Sequence, residues 1–299
     1  MNNSDKQKVI GIDLGGTNVR AGIVDGSSVK KILSCKVDKD GSAENVLENI
    51  FSVVDPIFNK EICGIGTGVP SILDVERGIV YDVQNIPSWK EVPLKEIMED
   101  MYKVPVYINN DANCFAAGEK FFGKAKGYKN AACVTLGTGI GVGLIINGSL
   151  YSGRNCGAGE FGTIPYKDHT YEYYCSGMFF KNIYGVPGYA LYNKALSGDE
   201  QSVKAFEEFG FELGNFVNLV LYSIDPEIII FGGSISKAFP LFKKALMESV
   251  GRFEFKRSLT NLKIEVSGLD NSPILGAAAL FFENKCPLHL PQRGEKNTR

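Results

Sequence analysis

Two stretches, VIGIDLGGTNVRAGIVD at Val9–Asp25 and AACVTLGTGIGVGLIING at Ala131–Gly148, follow one pattern. Each runs from an apolar strand into a glycine turn and out into a second strand. After the first turn Val19, Ala21 and Ile23 alternate with other residues, the period of a strand and not of a helix. Each copy opens a series of alternating helices and strands, which predicts two homologous α/β halves instead of one continuous sheet. No Pro/Ser-rich linker separates them, so the halves are expected to pack across a cleft, where ligands tend to bind.

Working outward, Ala43–Asn59 places Val46, Leu47, Ile50, Val53, Val54 and Ile57 on one helical face. Ile62–Val69 reads as a glycine-punctuated strand, Pro93–Tyr102 as a short helix, and Val104–Ile108 as a buried strand that empties into Asn-Asn-Asp-Ala-Asn. Asn113–Phe122 is expected to be helical and Gly153–Gly177 irregular. Helices are predicted over Val203–Tyr222, Phe239–Val250 and Leu275–Phe282, with strands at Glu227–Phe231 and Ile264–Ser267. The division predicted is a smaller domain of residues 1–111 plus a returning segment, 275–290, a larger domain of 112–274, and a polar tail, 291–299.

Composition narrows the partners. A chain of 299 residues with 44% hydrophobic and 22% charged residues is an ordinary globular composition, and its length suits two domains. The net charge of −2 gives no electrostatic reason to expect nucleic acid or an anionic membrane surface. The polar start has no apolar signal stretch, and no window resembles a membrane span. Seven scattered cysteines without a C-x-x-C pair favour reduced thiols and a cytoplasmic location. His169 and His289 are the only histidines, which argues against a His-rich metal site.

The glycine turns have a chemical reading. In Asp13-Leu-Gly15-Gly16-Thr17-Asn18 the paired glycines let backbone N–H groups approach a phosphate closely, and Thr17 adds a hydroxyl donor. Asp13 at the strand end could hold Mg²⁺, through water. A plain tight hairpin is the alternative. Leu136-Gly137-Thr138-Gly139-Ile140-Gly141 repeats the arrangement, so that two hairpins could clasp a polyphosphate between domains. Phe231-Gly232-Gly233-Ser234, between a strand and a helix, suits the flat approach of a nucleoside, or is an ordinary βα loop.

Two pattern matches fail on context. Gly118–Lys124 reads G-x-x-x-x-G-K, but Ala125 stands where a Ser or Thr would bind metal, and Gly118 lies inside a predicted helix. Gly157-Ala-Gly159-Glu-Phe-Gly162 satisfies G-x-G-x-x-G without a strand before it.

Asn109-Asn110-Asp111-Ala112-Asn113 lies where a buried strand meets a helix. Asp111 is either a helix N-cap or a general base; flanking amides at Asn110 and Asn113 supply the hydrogen-bond fork that sugar hydroxyls need.

In their order along the chain, Asp13–Asn18, Asn110–Asn113, Leu136–Gly141, Gly157–Gly162 and Phe231–Ser234 resemble the ROK family of sugar kinases, a likeness running from about Val9 to Phe282. Gly64–Pro70 and Asn85-Ile-Pro-Ser-Trp89 are similar to that family's sugar-side loop. The resemblance implies a two-domain actin-like ATPase fold with ribonuclease-H-like halves, the substrates ATP and a small sugar, Mg²⁺ and a homodimer. At matched positions it implies Asp111 as the catalytic base, with Gly68, Asn85, Asn110, Glu160 and Glu172 on the sugar. It sets Asp13, Gly15, Gly16, Thr17, Asn18, Gly137, Thr138 and Gly139 around Mg-phosphate, and Gly232 and Gly233 on the adenosine.

One departure stands out. The family's usual zinc segment places a histidine where this chain has Thr163, and its cysteine cluster is missing. Four ligands cannot be assembled from Cys156, Cys175 and His169, so no zinc is expected, and Glu172 in Tyr171–Gly177 is expected to be kept. A DNA-binding repressor of the family would carry a helix-turn-helix ahead of Val9, where only eight residues stand. A sugar-binding regulatory protein without kinase activity is the alternative function.

Overall fold

The structure is a computed structural model that describes residues 7–83 and 85–285. Cys286, His289, the end of the returning segment and the polar tail 291–299 lie outside the described residues. The chain opens with strands β1 (Lys8–Leu14), β2 (Asn18–Asp25) and β3 (Ser28–Lys36), helix α1 (Ala43–Val54) and strand β4 (Ile62–Val69). A small sheet follows, β5 (Leu73–Asp74), β6 (Ile79–Tyr81) and β7 (Glu91–Val92), then α2 (Leu94–Tyr102), β8 (Val106–Asn110) and α3 (Asp111–Phe121).

The second half begins with β9 (Ala131–Leu136), β10 (Ile140–Ile146) and β11 (Ser149–Tyr151). A two-stranded ribbon, β12 (Pro165–Tyr166) and β13 (His169–Thr170), leads into α4 (Tyr171–Cys175), α5 (Gly177–Tyr184), α6 (Gly188–Leu196) and the long α7 (Glu200–Ile224). The chain closes with β14 (Ile228–Gly232), α8 (Phe239–Val250), α9 (Lys256–Thr260), β15 (Lys263–Val266) and α10 (Ser272–Lys285).

The two main sheets have one topology. Their strand orders are β3-β2-β1-β4-β8 and β11-β10-β9-β14-β15. In each, an antiparallel hairpin meets two parallel strands, β1 beside β4 and β9 beside β14. Each half has its own apolar core, one built around Ile10, Ile65, Val106 and Trp89, the other around Phe209, Phe216, Phe231 and Phe242. Local sequence starts the helices. Ser42 and Asn45 form a capping box on α1, and Asp199 accepts the Ser202 N–H at the start of α7. Among the described residues no helix is long and apolar enough to cross a membrane.

The last helix of each half packs on the sheet of the other: α3 lies over β10 and β9, and α10 over β1 and β4. Glycines in the strands make this possible. A side chain at Gly66 would collide with the Ala277 carbonyl of α10, and one at Gly143 with the Ala112 carbonyl of α3. The two helices also meet each other, with Gly118 against Gly276. α10 is buried all round, from Ile274 to Phe281, which suits a helix of small and apolar residues.

Several elements differ from expectation. β3 carries mostly exposed side chains and shows only a weak apolar alternation, because an edge strand is held by its backbone ladder. The stretch Gly153–Gly177, expected to be irregular, contains β12, β13, α4 and a 3-10 turn at Phe161–Thr163. α5 and α6 arise in an aromatic stretch divided by Gly185, which has φ +70°, and by Pro187.

Candidate active site

The carboxyl ends of the first half's parallel strands gather the candidate residues. Pairing sets Asp13 opposite Gly68, Gly68 opposite Asn109, and Val69 opposite Asn110. In open α/β sheets this edge is where ligands bind. In the second half Thr135 pairs with Gly232. Gly233, at φ +83°, lies so close to the Leu136 carbonyl that any side chain would clash. The glycines expected beside adenosine therefore border the second glycine hairpin.

Asn110, and not Asp111, caps α3. Its Oδ1 accepts the Ala112 N–H at 2.8 Å, while its backbone is extended. Asp111 is thus the first helical residue, and the N-cap reading of that carboxylate is corrected. Asp111 is an exposed residue, yet the protein packed around its carboxyl raises the pKa from the ordinary carboxylate value; the N–H groups of Ala112 and of Asp111 itself oppose the shift.

Asp111 acts on one carboxylate in each half, Asp13 and Glu160. Loss of hydration pushes Asp13 up to about 6, Arg20 pulls it down and Asp111 pushes it up. Glu160 is raised by burial, then by Asp111 and Glu172. Geometry brings the halves together at this point: Ala112, next to Asp111, lies against Gly141 just past the second hairpin, and Asn109 Nδ2 donates to Ser152 Oγ on the segment that leads to Glu160. Perturbed carboxylates grouped in a cleft mark a functional-site candidate.

Both hairpins border this crevice. The first closes with the Gly15 N–H donating to the Asn18 carbonyl at 2.9 Å, and exposes Thr17 and Asn18 at its tip. The second closes with the Gly137 N–H donating to Gly139 at 3.0 Å, with Thr138 exposed. Glu172, in the first turn of α4, accepts the Ile140 N–H at 3.1 Å and lies against Gly139. The Gly177 N–H at the start of α5 donates to the Gly137 carbonyl at 2.8 Å. Asn85, expected on the sugar side, is exposed and lies against Gly16 of the first hairpin.

The sequence reading missed Arg20, which faces Asp13 across the hairpin and donates to Asn271 Oδ1 at 3.1 Å just before α10. The signal was available: a turn centred on Gly16–Thr17 pairs position 13 with position 20. Asn109, Ser152 and Cys156 were also missed as site neighbours, and nothing in their spacing announced them. Thr163, at the expected histidine position, donates its hydroxyl to the Glu160 carbonyl at 2.8 Å. Cys175 is fully buried and His169 stacks on Tyr173 at 3.9 Å between ring centroids. Among the described residues no group of three or more His, Cys, Asp or Glu is arranged to hold a metal ion.

Two sheets of one topology, each opening with a glycine hairpin and bridged by reciprocal helices, define an actin-like ATPase fold. The ROK family model matches residues 9–284, and the chain belongs to that family. A glucokinase of Thermotoga maritima is 30% identical over 93% of this chain and 98% of its own length. A xylose repressor of Caldicellulosiruptor bescii is 29% identical over 94% of this chain and 80% of its own length. Among solved structures, a ROK family glucokinase from Streptomyces griseus in complex with glucose and AMPPNP superposes with a TM-score of 0.77 at 27% identity, covering 91% of this chain and 98% of that one.

Proposed function

We propose that this protein is an ATP-dependent kinase that phosphorylates a hydroxyl of a small sugar, with the 6-OH of a hexose as acceptor and glucose as the first sugar to test. The observation that supports the reading is that Asp111 follows a strand end aligned with that of Asp13 and the first hairpin, while its neighbour Ala112 packs on Gly141 just past the second. The glucokinase relative and the glucose–AMPPNP complex of a second relative support it.

In this reading ionised Asp111 accepts the proton of the sugar hydroxyl as its oxygen attacks the γ-phosphorus in line. The new O–P bond forms as the bond to ADP breaks. Asn110, Gly68, Glu160 and Glu172 orient the sugar, and Asn85 closes the boundary between sugar and phosphate. Backbone N–H groups of Gly15, Gly16, Gly137 and Gly139, with Thr17, Asn18 and Thr138, cradle the phosphates, and Gly232 with Gly233 flank the nucleoside. Asp13 fits a Mg²⁺ site: a dehydrated hard-oxygen donor beside the first hairpin, its charge only partly offset by Arg20. Mg²⁺ there would neutralise phosphate charge. We place the enzyme in the cytoplasm as a homodimer, with a small domain of residues 1–111 and 275–290 and a large one of 112–274.

Replacing Asp111 with Asn tests the reading. Base catalysis contributes about 10²–10⁴ in rate, so turnover with the preferred sugar should fall by at least that lower figure while sugar affinity is largely kept. ADP release across a panel of hexoses supplies the wild-type reference. Near-normal turnover by Asp111→Asn removes Asp111 from the mechanism. Sugar binding without turnover by the wild type would favour a regulatory sugar-binding protein, a reading that the xylose repressor relative keeps in view.

A further inference from the structure

Asn109, at the end of β8, is 4% exposed, and its carboxamide makes four hydrogen bonds, three to side chains and one to the backbone. Oδ1 accepts from the Asn110 N–H at 2.9 Å, from Asn113 Nδ2 at 2.9 Å and from the Cys156 thiol at 3.0 Å. Nδ2 donates to Ser152 Oγ at 3.1 Å. Two of these partners belong to the start of α3, on either side of Asp111. The other two belong to the loop that leaves β11 in the opposite half and runs on to Glu160.

That loop behaves as a strap across the cleft. Cys156 follows the second half's edge strand, yet its side chain is buried in the core of the first half. Its backbone is left-handed, at φ +59°, which a cysteine adopts only where its surroundings hold it. Near the end of the strap, Gly159 at φ +93° packs on the Val142 carbonyl, fixing the step into Glu160. A buried amide with its acceptor and donor both engaged specifies a single arrangement of its neighbours.

We propose that Asn109 is a positioning residue that locks the Ser152–Glu160 strap to the first turn of α3, so that Asp111 and Glu160 meet the sugar in a fixed relation. The sugar's part in this rests on the kinase reading above; the lock itself does not need turnover. Asp13 and the glycine hairpins make no hydrogen bond to Asn109, so the lock should govern the sugar and leave the nucleotide alone.

Hydrogen exchange on the full chain, combined with steady-state kinetics, tests this. In Asn109→Ala, amides of residues 152–160 and 111–113 should exchange about ten-fold faster or more, as expected for a lost buried hydrogen bond, with β9, β14 and α7 unchanged. Sugar KM should rise about ten-fold and kcat should fall as well, because the first turn of α3 carries both the sugar contact Asn110 and the base Asp111, while ATP KM stays within about two-fold. Asn109→Asp keeps the three accepted contacts and can accept from the Ser152 hydroxyl, so it should restore slow exchange. Ser152→Ala removes one contact and gives a smaller acceleration confined to the strap, which serves if Asn109→Ala does not fold. Unchanged strap exchange, acceleration spread over the whole chain, or a parallel rise in both KM values would each overturn the proposal. If the wild type turns over no sugar, the kinase reading falls and the exchange data alone decide the lock.

Discussion

The two glycine hairpins hold the same place in the same topology, yet they carry charge differently. Setting one on the other aligns Asp13-Leu14-Gly15-Gly16 with Thr135-Leu136-Gly137-Thr138. The first has a carboxylate at the strand end, facing Arg20 across the pair. The second has a threonine, facing Gly141 and donating its hydroxyl to the Gly141 carbonyl at 3.4 Å. Its negative charge comes from outside, as Glu172 braces the Ile140 N–H. The two halves share the backbone turn but divide the other tasks. One strand ends in a carboxylate; the other hairpin is tied to the helix that carries Glu172. In the proposed kinase reading, Glu172 would join the nucleotide and sugar sites.

The sharpest way to break this contrast is to neutralise both equivalent positions. Asp13→Asn should lower kcat by about a hundred-fold or more, the scale of losing one electrostatic contact to a transferring group, with ATP KM raised in limiting Mg²⁺. Thr135→Val removes only a long hydroxyl contact and should leave kcat within about three-fold. Equal losses at the two positions would mean that the hairpins work symmetrically and that Asp13 has no special part.

The reciprocal helices allow a second paired test. Gly66→Ala and Gly143→Ala each place a methyl group against a helix carbonyl that cannot swing aside, one under α10 and the other under α3. Each should destabilise the fold by about 1–3 kcal/mol in denaturant titrations, the usual cost of overpacking. If the halves are equivalent in packing as in topology, the two losses should agree closely. A loss at Gly66 alone would show that α10, and not α3, holds the halves together.

Legibility followed the same division. The paired hairpins, Ile228–Gly232 and the small-residue helix α10 could be read because strand period, turn glycines and burial on all sides are local properties. Asp111, Glu160 and Glu172 were legible only as members of a motif order; their convergence depends on two halves folding toward each other. β3 was hidden because Lys30 and Lys31 face solvent and only Val29, Leu33 and Cys35 are half-buried against the core, too weak an alternation to read. The ribbon before α4 was hidden for another reason: Tyr166 stacks on Tyr171 at 4.2 Å and donates its hydroxyl to Glu212 of α7 at 2.9 Å, a long-range contact that no local window of sequence contains. Asn109 looked like one more amide until its partners across the cleft were visible.

The smallest expected effect lies at Arg20, and its sign distinguishes a charge role from a structural one. Burial raises Asp13 to about 6 even with Arg20 opposing it, so Arg20→Met should move this carboxylate higher still. The ionised form is the one that can hold a cation. The acid limb of kcat/KM for MgATP should therefore lie near pH 6 in the wild type and shift upward in Arg20→Met, with only a few-fold loss at pH 8. Stability without ligand should run the opposite way. A carboxylate whose folded pKa exceeds its unfolded one stabilises the protein fully below the unfolded value and loses that contribution as pH rises through about 6. Thermal melting of the ligand-free protein should show this decline, and Asp13→Asn should flatten it. If Arg20→Met instead lowers activity equally at every pH, Arg20 acts through its bond to Asn271 at the head of α10, and the charge asymmetry between the hairpins has no part in the chemistry.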